Sequence, residues 1–216
     1  AEEPLEDNTY LSYNVVIDTA LNKELYLAFQ VIDYCLIAAP GALLTERLMK
    51  SGLVSDVDAV YENGILQPYY SIIGRGGNKK DTDELINIIK DELNKVVREG
   101  LDKDMIRAAI NVFEFKYREA DFGRYPKGLM YGLQAFDSWL YDENEPFMHI
   151  EANDTYAFLK SKVDTDYYEQ LIEQYLLNNS HSSIVVLEPE RGLTAVKDKE
   201  LADKLAEYKA SLSDED

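Results

Sequence analysis

The run AAINVFEFKYREADFGRYPKGL, residues 108–129, holds three carboxylates, two arginines, an asparagine and five aromatics. Carboxylates grouped this closely can do acid–base chemistry if one has a shifted pKa and faces an open cleft. On a helix, however, Arg107, Asn111, Glu114, Arg118 and Asp121 form a single stripe of alternating charge. An arginine within a turn of each acid holds it ionised. Ile106, Ile110, Phe113 and Tyr117 flank the stripe on one side, and Met105, Ala108, Val112 and Phe115 on the other. The pattern predicts a structural polar seam on a helix buried on both sides, not a catalytic centre.

The other chemistry-bearing residues are sparse. GRGGNKKDTDE, residues 74–84, lies between a strand pattern and a helix pattern, which is the setting of a phosphate loop. It lacks the third glycine of a dinucleotide fingerprint and has no Gly-Lys-Ser/Thr, so a strand-to-helix turn is expected. His149 and His181 are the only histidines and neither belongs to an H-E-x-x-H or H-x-x-E-H motif. No metal ligand set is predicted in this chain. The single cysteine, Cys35, sits in VIDYCLIAAP and reads as a buried small hydrophobe rather than a nucleophile. There is no G-x-S-x-G elbow for a serine triad.

The elements that must position these residues follow from periodicity. TYLSYNVVID (9–18) suits a buried strand, and KELYLAFQVIDYCLIA (23–38) a helix apolar on most sides. Pro40 and Gly41 break the chain before a second helix that stops at Gly52. Strands are expected at 56–62 and 66–73, joined through Asn63-Gly64 as a tight hairpin. Ile86, Ile89, Leu93, Val96 and Val97 line one face of a helix ending at Gly100, with Asp81 and Glu84 as its capping box. Asp102 or Asp104 opens the helix that carries the seam. Helices at 126–142, 155–178 and 198–212 and a strand at 182–190 complete the chain. Few strands, long helices and no βαβ alternation predict an α+β fold, with long helices packed on one face of a mainly antiparallel sheet. The 216 residues are read as a single domain, with residues 1–8 and 213–216 fraying.

The formal net charge of −19 repels phosphate backbones and argues against a nucleic-acid partner. No apolar run is expected to span a bilayer, which needs roughly 20 residues. The N-terminus lacks the pattern of a signal peptide. With one cysteine, a cytosolic setting is the simple expectation.

PGALLTERLMKSGL, QPYYSIIGRG, NVFEFKYREADFGRYPKGL, WLYDENEP, LLNNSHSSIVVLEPE and ELADKLAEYKASLS follow one another in an order that resembles presequence proteases, a branch of the pitrilysin–insulinase zinc metallopeptidases. Asn111, Glu114, Phe115, Arg118 and Glu119, followed by Pro126 to Leu129, carry the resemblance most specifically. The resemblance implies four similar α+β domains in two halves that enclose a chamber, with zinc in the first domain. This chain resembles the second domain of the first half. It would be a non-catalytic, chamber-wall and substrate-cradle domain of an enzyme that degrades short unfolded peptides. Its partners would be the other domains of its polypeptide and peptide substrates, in a bacterial cytosol or an organellar matrix. The resemblance also points to the edge strand Val57–Glu62, through Val57, Ala59, Tyr61 and Glu62, as a peptide anchor by β-augmentation. A basic substrate would favour the acidic surface. Two other readings stand beside this one. One is a structural or subunit-interaction module with no proteolytic role. The other is a nucleotide-dependent enzyme using residues 74–80.

Overall fold

The computed structural model describes residues 5–212; expectations for residues 1–4 and 213–216 lie outside the described residues. Strands β1 (Thr9–Val16), β2 (Asp56–Glu62), β3 (Tyr69–Gly77) and β4 (Ser182–Leu187) form a sheet in the order β2-β3-β1-β4. Every pairing is antiparallel. Tyr13 stands opposite Ile72 on one side and Ile184 on the other, and Ala59 also faces Ile72. The period-2 alternation puts Leu11, Tyr13 and Val15 of β1 and Tyr70 and Ile72 of β3 into the core.

The helices are α1 (Lys23–Asp33), α2 (Leu43–Ser51), α3 (Thr82–Glu99), α4 (Lys103–Glu119), α5 (Lys127–Trp139), α6 (Asn153–Ser161), α7 (Tyr167–Leu171) and α8 (Leu193–Ser211). α1 to α4, α6 and α7 send side chains into the core against that face, whereas α5 buries only Ser138 and α8 buries no residue. Two of them run on into wider π-helical turns, α1 through Tyr34–Ala38 and α7 through Ile172–Leu177. By length and composition Lys23–Ser51 could reach across a membrane, contrary to the sequence expectation. In the fold most of it is buried within the core, and the chain turns between Ala39 and Ala42. One cluster of buried side chains, from Leu11 to Leu176, joins sheet and helices. The architecture is the α+β arrangement that the pattern predicts.

Local differences have identifiable causes. Asn63-Gly64 does not make a tight hairpin, and neither residue has positive φ. The link is wider because residues 66–68 bond to the continuation of β1: the Ala20 N–H donates to the Leu66 carbonyl (3.0 Å) and the Ile17 N–H to the Pro68 carbonyl (2.6 Å). β3 therefore starts late and continues through its glycines to Gly77. Asp81 makes no side-chain cap; the Thr82 hydroxyl instead donates to the Lys79 carbonyl at 2.6 Å. The helix expected over 155–178 is two helices, separated where Val163 turns into the core. At the N-terminal end, Asp7 and Asn78 exchange two hydrogen bonds, of 3.0 and 2.7 Å. Asp102 caps α4 as expected, accepting from the Asp104 and Met105 N–H groups.

Candidate functional site

The polar seam is only partly one structure. Glu114 is buried, and its carboxylate accepts from the Arg118 guanidinium (2.8 Å), one turn on, and from the Lys160 ammonium of α6. The Lys160 and Arg118 cations hold its carboxyl below the ordinary glutamate range against the opposing effect of burial. Arg107 pairs with Asp104 (2.9 Å) and with Asp164, outside the stripe. Asn111 is exposed, and Asp121 accepts from the Gly123 N–H at 3.1 Å. Of the two flanks, Ile106, Ile110, Phe113 and Tyr117 pack on the core. On the other flank Val112 and Phe115 are open to solvent, so α4 is not covered on both sides in this structure. A carboxylate held ionised between two cations is a poor proton-transfer group and a good tie between α4 and α6. Both cations are partly exposed, so Glu114→Gln should cost only about 1 kcal/mol, read as a drop of a few degrees in melting temperature. Unchanged melting would count against a structural role.

The strand that resembles a peptide anchor, β2, lies at the edge of the sheet. Val57, Ala59 and Tyr61 turn their side chains toward the core, and Tyr61 donates to the Leu25 carbonyl at 3.3 Å. What they can offer at the edge is main chain. The Ala59 N–H is taken by the Asp58 side chain (2.9 Å), not by β3. The other Asp58 oxygen accepts from Arg75 of β3. Val60 is exposed, and Glu62 accepts from the Gly64 N–H at 3.3 Å.

The glycines of residues 74–77 serve packing. A Cβ on Gly74 would lie 2.7 Å from Val54 Cγ1, and one on Gly76 would lie 2.0 Å from Ser55 Oγ. Gly76 also has φ +69°, in the left-handed region. The strand thus crosses closely over the link between α2 and β2. Lys79 is paired with Glu188 (2.7 Å), and the first turn of α3 carries Asp83 and Glu84. A phosphate there would meet Asp83 and Glu84 at the helix start, which weighs against the nucleotide reading.

His149 is buried with its Nε2 2.8 Å from the Ala20 carbonyl. A carbonyl only accepts, so Nε2 carries the proton. Its ring stacks on Tyr26, with centroids 3.7 Å apart. Burial pushes its pKa down to about 4. The Tyr26 hydroxyl donates to Asp137 of α5 at 2.8 Å. Cys35 is fully buried, and burial pushes its thiol up to about 12. Among the described residues no three His, Cys, Asp or Glu side chains come together as a metal site. With the His149 Nε2 already engaged, this donor set does not fit the catalytic zinc implied by the resemblance.

Sequence reasoning missed a pocket of about 190 Å³ beside His149, between α1, α4, α5 and α6. Tyr26, Phe113, Tyr117, Phe122, Tyr131 and Tyr156 supply its rings. Ala120, at φ +50°, ends α4 in the left-handed conformation and folds Phe122 back against Tyr131, 5.2 Å away. A faint signal for the pocket was Gln30, a polar break in the otherwise apolar helix that carries Tyr26.

A family model described as "Peptidase M16 inactive domain" matches residues 2–113. "Protein HypA" of Clostridium perfringens is 38% identical over 212 residues, covering 98% of this chain and 22% of that protein. "Presequence protease 1, chloroplastic/mitochondrial" of Arabidopsis thaliana is 29% identical over 201 residues, covering 91% and 18%. The chain therefore spans about a fifth of the length of these curated relatives. Among solved structures, the inactive peptidase domain of a Bordetella parapertussis protein described as a zinc protease superposes with a TM-score of 0.64 at 11% identity, over 85% of this chain and 91% of that one. The ferredoxin protease FusC, solved in complex with Arabidopsis ferredoxin, gives 0.57 at 13% identity, over 85% and 19%. At such identities the likeness is one of fold. The matched stretch exceeds half of the 216 residues and takes in the whole of β1 to β3 and α1 to α3, so the chain belongs to the peptidase M16 inactive-domain family of the pitrilysin–insulinase type.

Proposed function

We propose that this chain is a non-catalytic wall of the chamber of a zinc-dependent peptidase, and that β2 cradles short unfolded peptide substrates. The observation that carries this reading is the main chain of β2 at the sheet edge, where the outward Ala59 N–H is capped by its own neighbour, Asp58. An unpaired edge is a template for an added strand, and a half-exposed carboxylate is a placeholder that a peptide carbonyl can displace. Asp56, Asp58 and Glu62 give the edge a negative rim suited to basic peptides. On this reading zinc belongs to another domain of the same polypeptide, and this domain supplies packing and positioning. Relatives named as chloroplastic or mitochondrial support an organellar matrix for eukaryotic forms, and the reading places bacterial forms in the cytosol.

The test uses the full-length enzyme. A bound photoreactive peptide should crosslink to Ala59 or Tyr61. Ala59→Pro removes an N–H that β3 does not use, so it should weaken peptide affinity about tenfold with little change in melting temperature. Undiminished affinity would take the edge out of the account.

A second reading, an interaction module without any proteolytic role, is favoured by α5. Its Leu129, Leu133 and Phe136, with Leu140 just past its end, form an exposed apolar stripe, with the Trp139 ring stacked on Phe136 at 5.9 Å. The two readings part on whether the peptide crosslink forms at β2.

A further inference from the structure

We propose that the aromatic pocket between α1, α4, α5 and α6 is a subsite for one cationic side chain, a guanidinium in particular. The proposal deepens the peptide-cradle reading, since it supplies a place for a side chain of the bound peptide. The pocket itself is argued from its own geometry.

Size comes first. Ligand sites for drug-sized molecules run to about 300–1,000 Å³. At about 190 Å³, half enclosed, this one has room for a single side chain. Six aromatic rings supply its walls, and the negative face of a ring attracts a cation. Guanidinium is planar and weakly hydrated, so it stacks on such faces where an ammonium holds its water.

Hydrogen-bonding capacity points the same way. The Tyr26 hydroxyl donates to Asp137, and the Tyr117 hydroxyl to the Ile150 carbonyl at 2.7 Å. Gln30 spends a carboxamide N–H on the Tyr26 carbonyl (3.3 Å), and Gln134 spends one on the His149 carbonyl (3.2 Å). His149 spends its Nε2–H on Ala20. These donors are directed into the protein, and the Tyr131 and Tyr156 hydroxyls that also line the pocket can turn to accept. The Gln30 and Gln134 Oε1 atoms and the Asp121 carboxylate remain as acceptors. A pocket of π-faces and acceptors suits a ligand that only donates, and arginine has five N–H groups and no acceptor. The opposing charge is Lys116, which also lines the pocket; its exposed side chain can swing into solvent. An anion would find Lys116 as its only cation and Asp121 against it.

The test is a titration of the isotopically labelled 216-residue chain, followed by NMR, with three small probes: N-acetyl-argininamide, its neutral isostere N-acetyl-citrullinamide, and N-acetyl-norleucinamide. The arginine probe should shift the side-chain amides of Gln30 and Gln134 and saturate at millimolar concentration. The citrulline and norleucine probes should bind at least tenfold more weakly. Asp121→Asn keeps an oxygen for the Gly123 N–H and should weaken arginine binding about fivefold without changing the dispersion of the spectrum. Lys116→Met should strengthen it about threefold. Equal affinity for the arginine and citrulline probes would overturn the proposal, as would unshifted Gln30 and Gln134 amides at saturating arginine. Ala59→Pro leaves this pocket untouched, so loss of the arginine response and loss of edge-strand binding are separate results.

Discussion

Tyr26→Ala should lower the unfolding free energy by about 4 kcal/mol, measured as the midpoint of chemical denaturation at unchanged slope. The ring is buried, so its removal leaves a cavity as well as losing transfer energy. It also breaks two ties at once. The His149 ring loses its stacking partner, and Asp137 loses the phenol that donates to it. Tyr26→Phe separates these contributions. It keeps the cavity filled and the stack in place, so it should cost only about 1–2 kcal/mol, the cost of leaving a partly buried acceptor without its donor. Asp137 lies on α5 and His149 just before α6, so the same tyrosine holds both segments against α1. Hydrogen exchange of residues 127–139 should therefore quicken in the alanine variant more than that of the sheet. A loss under 1 kcal/mol for Tyr26→Ala would mean that α5 is held by something else.

The second large effect is acid sensitivity above the carboxylate range. An unfolded imidazole titrates near pH 6.5, and His149 in the fold only near 4. Between those values the unfolded chain binds a proton that the native state refuses. Stability is therefore complete above about pH 6.5 and falls as pH drops toward 4, by about 3 kcal/mol in all. The carboxylates do not mimic this. Burial raises Asp33 and Asp137, so their protonation favours the fold as pH falls. Glu114 is held low by its cations, and its stabilisation is lost only as pH falls below the ordinary glutamate range. His149→Phe keeps a ring against Tyr26 and removes the proton site. Its melting temperature should be flat between pH 6.5 and 5, where the parent chain declines. A parallel decline in both would show that another group carries the slope.

The fold was legible wherever a rule acts along the chain. A run suited to a buried strand marked β1, the apolar face marked α3, and Asp56–Glu62 was bounded as a strand to the residue. Gly52, at φ +73°, ends α2 where a left-handed cap was expected. What escaped depends on segments that meet only in space. Asn63-Gly64 is a hairpin signal by itself, yet the link opens because Ala20 and Ile17 claim its carbonyls. The glycines at 74–77 imitate a phosphate loop until Val54 and Ser55 are seen pressed against them. In the seam, the Glu114–Arg118 pair follows from helix spacing, but Lys160 is 46 residues away and has no local signature. The β2 edge was suggested by resemblance, and the inward turn of Val57, Ala59 and Tyr61 comes from the sheet register. The aromatic pocket was hidden for the same reason as Lys160: its rings come from four helices and the turn after α4, and no window of sequence contains it.

The place of β1 governs when this sheet can close. Of its four strands β1 comes earliest in the chain yet lies inside the sheet, and its partner β4, whose Ser182 stands opposite Val15, comes last. Until synthesis passes Leu187, β1 has β3 on one side and nothing on the other. Closure of the sheet must therefore wait for β4, and a nascent intermediate carrying a bare flank of Tyr10 to Val15 is the species that holdase chaperones would be needed to shield.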